Sequence, residues 1–397
     1  MEMGCCSDLG PMRMAVMAGR PLFTLFRHGA VSSARDTATA DDRPLRDVTP
    51  VTSRASILAT ALAKPMKILV PCDRVVLSGG LLRFDRVARE ISQYGHEMVF
   101  AVLGASPPER PSDVPVVDLA GAAQQTWDCV MVPGAGFPAA TIEKFGAFRQ
   151  RQFGLRMQHV LNDPTRRDAF LQVNRALDPH VVVFNNEHWP PASHKDFRAD
   201  RTHVLIGAVD TNRFFPTEGR APGRTAWVIG GLANKNPIPL VEAVSDCNGM
   251  ELVLFGNDRH GLRQRYPEMI AQGRLTLRGA VVERDLPGLY RNFDCVVATE
   301  FFAGWSNLSA EAMASGVPVI CTRAGTLAFA RDGETALVVD DPTPETLRTR
   351  LEWLRANRSL ALTLARNART RIEKFDVATY ARSLLELCRR NGVESRA

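Results

Sequence analysis

From Met66 onward, short apolar runs of strand length alternate with stretches of helical period, and this alternation constrains the fold more than any other feature of the chain. Ile68-Leu69-Val70 opens the series and a turn at Ser78-Gly79-Gly80 follows. Leu81, Leu82, Phe84, Val87, Ala88 and Ile91 then recur near helical spacing, which leaves Arg83, Asp85, Arg86, Arg89 and Glu90 for the outer face. Gly95-His96 ends that helix and Met98–Leu103 is the next strand. The rhythm continues through Val116–Leu119, Cys129–Val132, Leu155–Leu161 and Val181–Phe184. Strands separated by helices need crossover connections, so they lie parallel in a doubly wound sheet.

A second series begins beyond the Gly/Pro-bearing stretch Thr217–Gly223. Its strands are Ala226–Ile229, Leu252–Phe255, Leu275–Arg278, Cys295–Ala298, Val317–Cys321 and Ala336–Val339. The expected fold class is α/β: two Rossmann-like doubly wound domains facing across a cleft, at 66–216 and 226–375, joined by a linker at 217–225. A last helix within 376–397 is expected to pack back on the first domain. Residues 1–65 have no sustained period and read as an unfolded extension or the product of an upstream start codon.

Composition narrows the function classes. At 397 residues and 45% hydrophobic, the chain can bury two sizeable cores. No apolar run reaches the roughly 18–20 residues of a membrane-spanning helix. Lys and Arg number 49 against 43 acidic residues, but they are scattered and form no basic stripe, so nucleic acid is not an expected partner. The net +6 suits an anionic substrate or a peripheral contact with an acidic membrane face. The eight cysteines show no metal-ligand or CxxC spacing, which places the chain in a reducing cytoplasm and predicts no bound metal. HExxH, GxSxG and Walker motifs are absent, and Gly134-Ala135-Gly136 lacks the third glycine of a dinucleotide fingerprint.

Paired open sheets bind ligands between the carboxyl ends of their strands. The run Ala303–Val319 reads as loop, helix, glycine stop and strand. Asn307 or Ser309 can cap this helix, so free amides at its start could hold a phosphate, while Glu311 could accept hydrogen bonds from the vicinal hydroxyls of a ribose. The same pattern also fits a capped surface helix with an incidental acid. Glu187 and His188, after a strand, could bind acceptor hydroxyls, and Trp189 could stack on a sugar or simply pack. Gly79 and Gly80 would allow the backbone to approach a phosphate, or form an ordinary turn.

Ala303–Val319, Gly325 and Asp332–Val339 together resemble the signature of family-four retaining glycosyltransferases. Val209–Pro216, Gly279 with Leu289-Tyr290, and Ser78-Gly79-Gly80 resemble further segments of that family, so the similarity runs from about Met66 to Arg390. The resemblance implies a GT-B architecture whose second domain holds a nucleoside diphosphate sugar, with no further cofactor. It implies donor contacts from Gly230, Lys235, Gly304, Ser306, Asn307, Leu308, Ser309 and Glu311, with Glu311 on the ribose and Lys235 on the diphosphate. It also implies a sugar-facing role for His159. Two departures stand out: Ala303 occupies the place of the family's first glutamate, with Glu300 three positions away, and Gly231 occupies the place of its arginine. Arg259 or Arg323 would have to supply the second cation.

The expected function is transfer of a hexose-like sugar to an acceptor hydroxyl on a sugar, lipid-linked molecule or protein, in polysaccharide or glycoconjugate assembly. The departures keep a non-catalytic nucleotide-sugar or partner-binding protein open. A nucleotide-sugar epimerase would need carboxylates in the cleft, for which Glu187 and Asp163 are loose candidates.

Overall fold

The computed structural model describes residues 64–75, 79–104, 114–134, 137–162, 164–217, 227–231 and 235–392. The expectations for most of 1–65, for Ser78, Asp163 and the linker residues 218–225 lie outside them. Among the described residues, β1 (Lys67–Cys72), β2 (Glu97–Val102), β3 (Val116–Asp118), β4 (Cys129–Pro133), β5 (Leu155–Val160), β6 (Val181–Phe184) and β7 (Arg201–Val204) build one sheet in the order β3-β2-β1-β4-β5-β6-β7. Every neighbouring pair in it is parallel.

The continuous apolar runs follow from burial on both faces. Along β1, Ile68 and Val70 point into one core with Phe84 and Ile91, whereas Leu69 points into the opposite core with Trp127 and Phe153. Strand β7 is absent from the sequence expectation for a related reason. It is an edge strand, partly exposed along its length, and Arg-Thr-His-Val carries no apolar run.

The second sheet contains β8 (Trp227–Gly231), β9 (Glu251–Phe255), β10 (Leu275–Arg278), β11 (Cys295–Ala298), β12 (Val319–Cys321) and β13 (Leu337–Val338) in the order β10-β9-β8-β11-β12-β13. It too is parallel throughout. Cys295 and Val297 face one core, Val296 and Ala298 the other.

Four helices position the site: α1 (Gly79–Ser92), α2 (Asn307–Ala314), α3 (Arg358–Ile372) and α4 (Val377–Gly392). The chain crosses back to the first sheet through α4, whose Tyr380, Ala381, Leu384 and Leu385 join the core of Ile68 and Phe84. Arg369 of α3 fastens the crossing by donating to the carbonyls of Phe214 at 2.6 Å and Ala314 at 2.7 Å. No helix among the described residues is long and apolar enough to cross a membrane.

In each sheet the strand order reverses between two parallel neighbours, β1 and β4 in the first and β8 and β11 in the second. At such a switch point the loops leaving the strands diverge and open a crevice. The loop after β1 leads to Gly79 and α1, the loop after β8 to Lys235, and the loop after β11 to Glu300 and α2.

Candidate functional site

A cavity of about 500 Å³ lies where these loops meet, lined by Gly80, Arg83, Leu161 and Asn162 of the first half and by Lys235, Tyr290, Gly304, Asn307, Leu308 and Glu311 of the second, among others. The approach of the two halves depends on Gly304. A Cβ there would stand 1.7 Å from the Leu161 carbonyl oxygen, and that neighbour is backbone. Gly80 packs within the first half, where a Cβ would meet the Leu161 side chain at Cδ1, 2.3 Å away.

Helix α2 is capped by Ser306, not by Asn307 or Ser309. Ser306 has extended dihedrals and its Oγ accepts from the Ser309 N–H, while Asn307 is already the first helical residue. Asn307 and Leu308 thus carry N–H groups that precede the intrahelical ladder, at the positive end of the helix dipole, and both residues line the cavity.

Glu311 stands one turn further on and is 3% exposed. Its Oε1 accepts from Arg86 Nη2 at 2.6 Å and its Oε2 from the Tyr290 hydroxyl at 2.9 Å. A carboxylate offers about four acceptor positions, so these two bonds orient the group and leave capacity for a ligand's hydroxyls. Burial, and then the Glu311 charge, push the Tyr290 hydroxyl well above its ordinary pKa, which keeps it a donor. Burial works to lower the Arg86 pKa, but Glu311 and Glu283 outweigh it and hold the guanidinium charged.

Lys235 lines the same cavity and its Nζ pairs with Glu300 Oε1, which also accepts from Ser306 Oγ at 3.0 Å. The pairing follows from topology, since Lys235 follows β8, Glu300 follows β11, and these strands are adjacent. Glu300 is 1% exposed and its Oε2 has no hydrogen-bond partner among the described residues.

Several expected site residues lie elsewhere. His159 does not line the cavity; it is fully buried between Phe84 and Tyr380, with Nε2 against the Tyr380 hydroxyl. Burial, then the nearby Arg83 charge, hold its pKa well below the ordinary value, so the ring is neutral. Trp189 is buried among Phe170, Phe184 and Phe197 and donates Nε1 to the Asn162 carbonyl at 2.7 Å, so it offers no face to a sugar. Glu187 is exposed and lines neither this cavity nor its neighbour. Gly230 sits inside β8, where a Cβ would meet Leu240 and Leu254, and serves packing. Gly79 is the first residue of α1.

His188 belongs to a neighbouring cavity of about 370 Å³ shared with Glu300, Phe301, Phe302, Arg323 and Asp340. Its Nε2 accepts from the Gly325 N–H at 3.1 Å, a link between the two halves. Arg323 pairs there with Asp340, and Arg259 is exposed outside both cavities, so neither replaces the arginine expected near Gly231.

Sequence reasoning missed Arg83 and Arg86, which it assigned to an exposed face. They are 5% and 4% exposed. Helical spacing shows which side of α1 packs on its own sheet; the side pressed against the second half leaves no mark in the periodicity.

Residues 223–357 match the family model described as glycosyl transferases group 1. Over 104 residues, 26% of the chain, it is 31% identical to a D-inositol 3-phosphate glycosyltransferase of Corynebacterium kroppenstedtii. Over 159 residues, 37% of the chain, it is 28% identical to a GDP-mannose-dependent alpha-mannosyltransferase of Corynebacterium glutamicum. These matches span 23% and 37% of those relatives' own lengths. Among solved structures, sucrose-phosphate synthase from Thermosynechococcus elongatus superposes with a TM-score of 0.65 at 17% identity, covering 82% of this chain and 98% of that one. Anabaena HepE in complex with UDP-glucose gives 0.64 at 18% identity, covering 82% and 100%. The chain has the GT-B fold, and its residues 223–357 are similar to the glycosyl transferases of group 1.

Proposed function

We propose that the protein is a retaining glycosyltransferase that moves a sugar from a nucleoside diphosphate donor to an acceptor hydroxyl. The observation that carries this reading is Glu311, held by Arg86 and Tyr290 at the wall of the cleft, one turn from the N–H groups of Asn307 and Leu308. A carboxylate with spare acceptor positions beside a helix amino terminus suits a ribose followed by a diphosphate. Lys235, a few residues beyond β8, would offset the charge that builds on the diphosphate as the bond to the sugar breaks. To do so it exchanges its contact with Glu300 for one with phosphate.

Names among the relatives agree with a donor of this class: one mannosyltransferase depends on GDP-mannose, and HepE was solved with UDP-glucose. Among the described residues Glu311 is the carboxylate that lines the cleft and it is held by Arg86 and Tyr290, so we favour attack from the face the leaving group departs, with a leaving phosphate oxygen taking the acceptor proton. We place the activity in polysaccharide or glycoconjugate assembly on the cytoplasmic side of the membrane.

A second reading, a binding protein without turnover, is favoured by Gly231 and by the neutralisation of Lys235 by Glu300. The test is to incubate the protein with UDP-, GDP- and dTDP-sugars and follow release of nucleoside diphosphate with and without sugar or polyol acceptors. Acceptor-stimulated release, with the product keeping the donor's anomeric configuration, supports transfer. Nucleotide binding without release from any donor supports the second reading, and no nucleotide binding removes both.

A further inference from the structure

The cleft contains a buried cation that no carboxylate among the described residues answers. Arg83, in the second turn of α1, is 5% exposed and lines the same cavity as Lys235, Asn307 and Glu311. Its neighbour Arg86 meets two carboxylates and Lys235 meets Glu300. Arg83 forms no ion pair among the described residues. Its Nε and Nη1 are buried without a hydrogen-bond partner, and the buried Trp305 Nε1 beside it has none either. What surrounds the guanidinium is aromatic, with the ring centroids of Trp305 and Tyr380 each 6.0 Å from its central carbon.

The rings attract a cation and the Tyr380 hydroxyl hydrogen-bonds to the guanidinium, but Nε and Nη1 stay unanswered. An unpaired buried guanidinium is costly, and burial pulls its pKa down to about 10, with the Tyr380 hydroxyl opposing. The arrangement is explained if an anion from outside completes it. The flat fork of donors in a guanidinium matches two oxygens of a phosphoryl group.

We propose that Arg83 is a phosphate-binding arginine, supplied to the cleft by the first half of the protein. The assignment rests on the reading of the cleft as a nucleotide-sugar site, and it gives the diphosphate the second cation that Gly231 cannot supply. Because Arg83 and Lys235 come from opposite halves, the diphosphate meets both cations only when the cleft is closed. A phosphate on the acceptor would present the same chemistry, so the experiment separates the two sources.

Wild-type protein, Arg83→Gln and Arg83→Lys are titrated calorimetrically with UDP, GDP and dTDP and with the matching nucleosides. Glycerol 3-phosphate and glycerol are compared by thermal shift. The expected result is that Arg83→Gln weakens the preferred diphosphate about tenfold or more, leaves the nucleoside unchanged, and is partly rescued by Arg83→Lys. Unchanged diphosphate affinity with loss of a glycerol 3-phosphate response would keep the phosphate role and assign it to the acceptor. Equal weakening of diphosphate and nucleoside would mean that Arg83 only shapes the cleft, and unchanged responses to every probe would mean that it binds no phosphate; either overturns the proposal. A wild type that binds no nucleotide fails the glycosyltransferase reading separately, and the glycerol 3-phosphate arm still tests Arg83.

Discussion

Arg86 Nη2 lies 2.6 Å from Glu311 Oε1, and the two side chains are 3% and 4% exposed. One charge belongs to α1 of the first half and the other to α2 of the second, so a buried ion pair crosses the cleft. Arg86 Nε reaches Glu283 at 2.8 Å, and Glu283 also receives Arg213 at 2.8 Å. Desolvation of such a group is offset only by close, well-directed partners, and these contacts supply them. The network fixes Glu311 before any ligand arrives.

Arg86→Met should therefore destabilise strongly, by about 3–5 kcal/mol, because it strands Glu311 without its cation. Glu311→Gln in the same background should cost much less than it does alone. Denaturant unfolding of the two single variants and the double variant checks this. Additive losses would mean that the pair does not act as a unit.

Gly304→Ala should separate the halves without unfolding either of them. The added Cβ would fall 1.7 Å from the Leu161 carbonyl oxygen, closer than any real contact, so the backbones must part. A displacement of about 1 Å between reacting groups can cost about a hundredfold in rate. We expect a loss of that order in transfer, a larger radius of gyration by small-angle scattering, and little change in helix content.

Lys235→Ala should lower turnover by about 10²–10³, the usual loss when a preorganised charge facing a leaving group is removed. Lys235→Arg should recover part of it. Steady-state kinetics with the preferred donor decide the matter, and an unchanged turnover number would remove Lys235 from the chemistry.

The architecture was legible because parallel strands buried on both faces write continuous apolar runs, as Ile68-Leu69-Val70 does. The edge strand Arg201–Val204 was not, since partial exposure leaves no run to read. At the site, a capped helix carrying Glu311 was visible as local chemistry, although its cap is Ser306 and not the expected Asn307 or Ser309, and Lys235 stood out only through the family resemblance. Arg83 and Arg86 were hidden because their burial depends on a second half joined 200 residues away in the chain, as the Arg86–Glu283 contact illustrates with its separation of 197. His159 and Trp189 show the converse error, since a polar or aromatic residue at a strand end can equally turn into its own core.

His159 provides a prediction about pH. Its folded pKa lies well below the ordinary 6.5, so the unfolded chain binds the proton more readily. The stability tied to the neutral ring is thus fully present above about 6.5 and is lost progressively as pH falls toward the folded pKa. His159→Gln should flatten the dependence of melting temperature on pH between about 7 and 5 and leave the Michaelis constant for donor near wild type. A large rise in that constant would return His159 to the substrate.

The contact between Glu311 and a donor ribose carries the proposed activity. Calorimetric titration with the preferred nucleoside diphosphate and with its 2′,3′-dideoxy counterpart measures what those hydroxyls contribute, in wild type, Glu311→Gln and Glu311→Ala. We predict that wild type prefers the ribose form by about tenfold or more, that Glu311→Gln narrows the gap, and that Glu311→Ala closes it. An equal preference in wild type and Glu311→Ala would contradict the account.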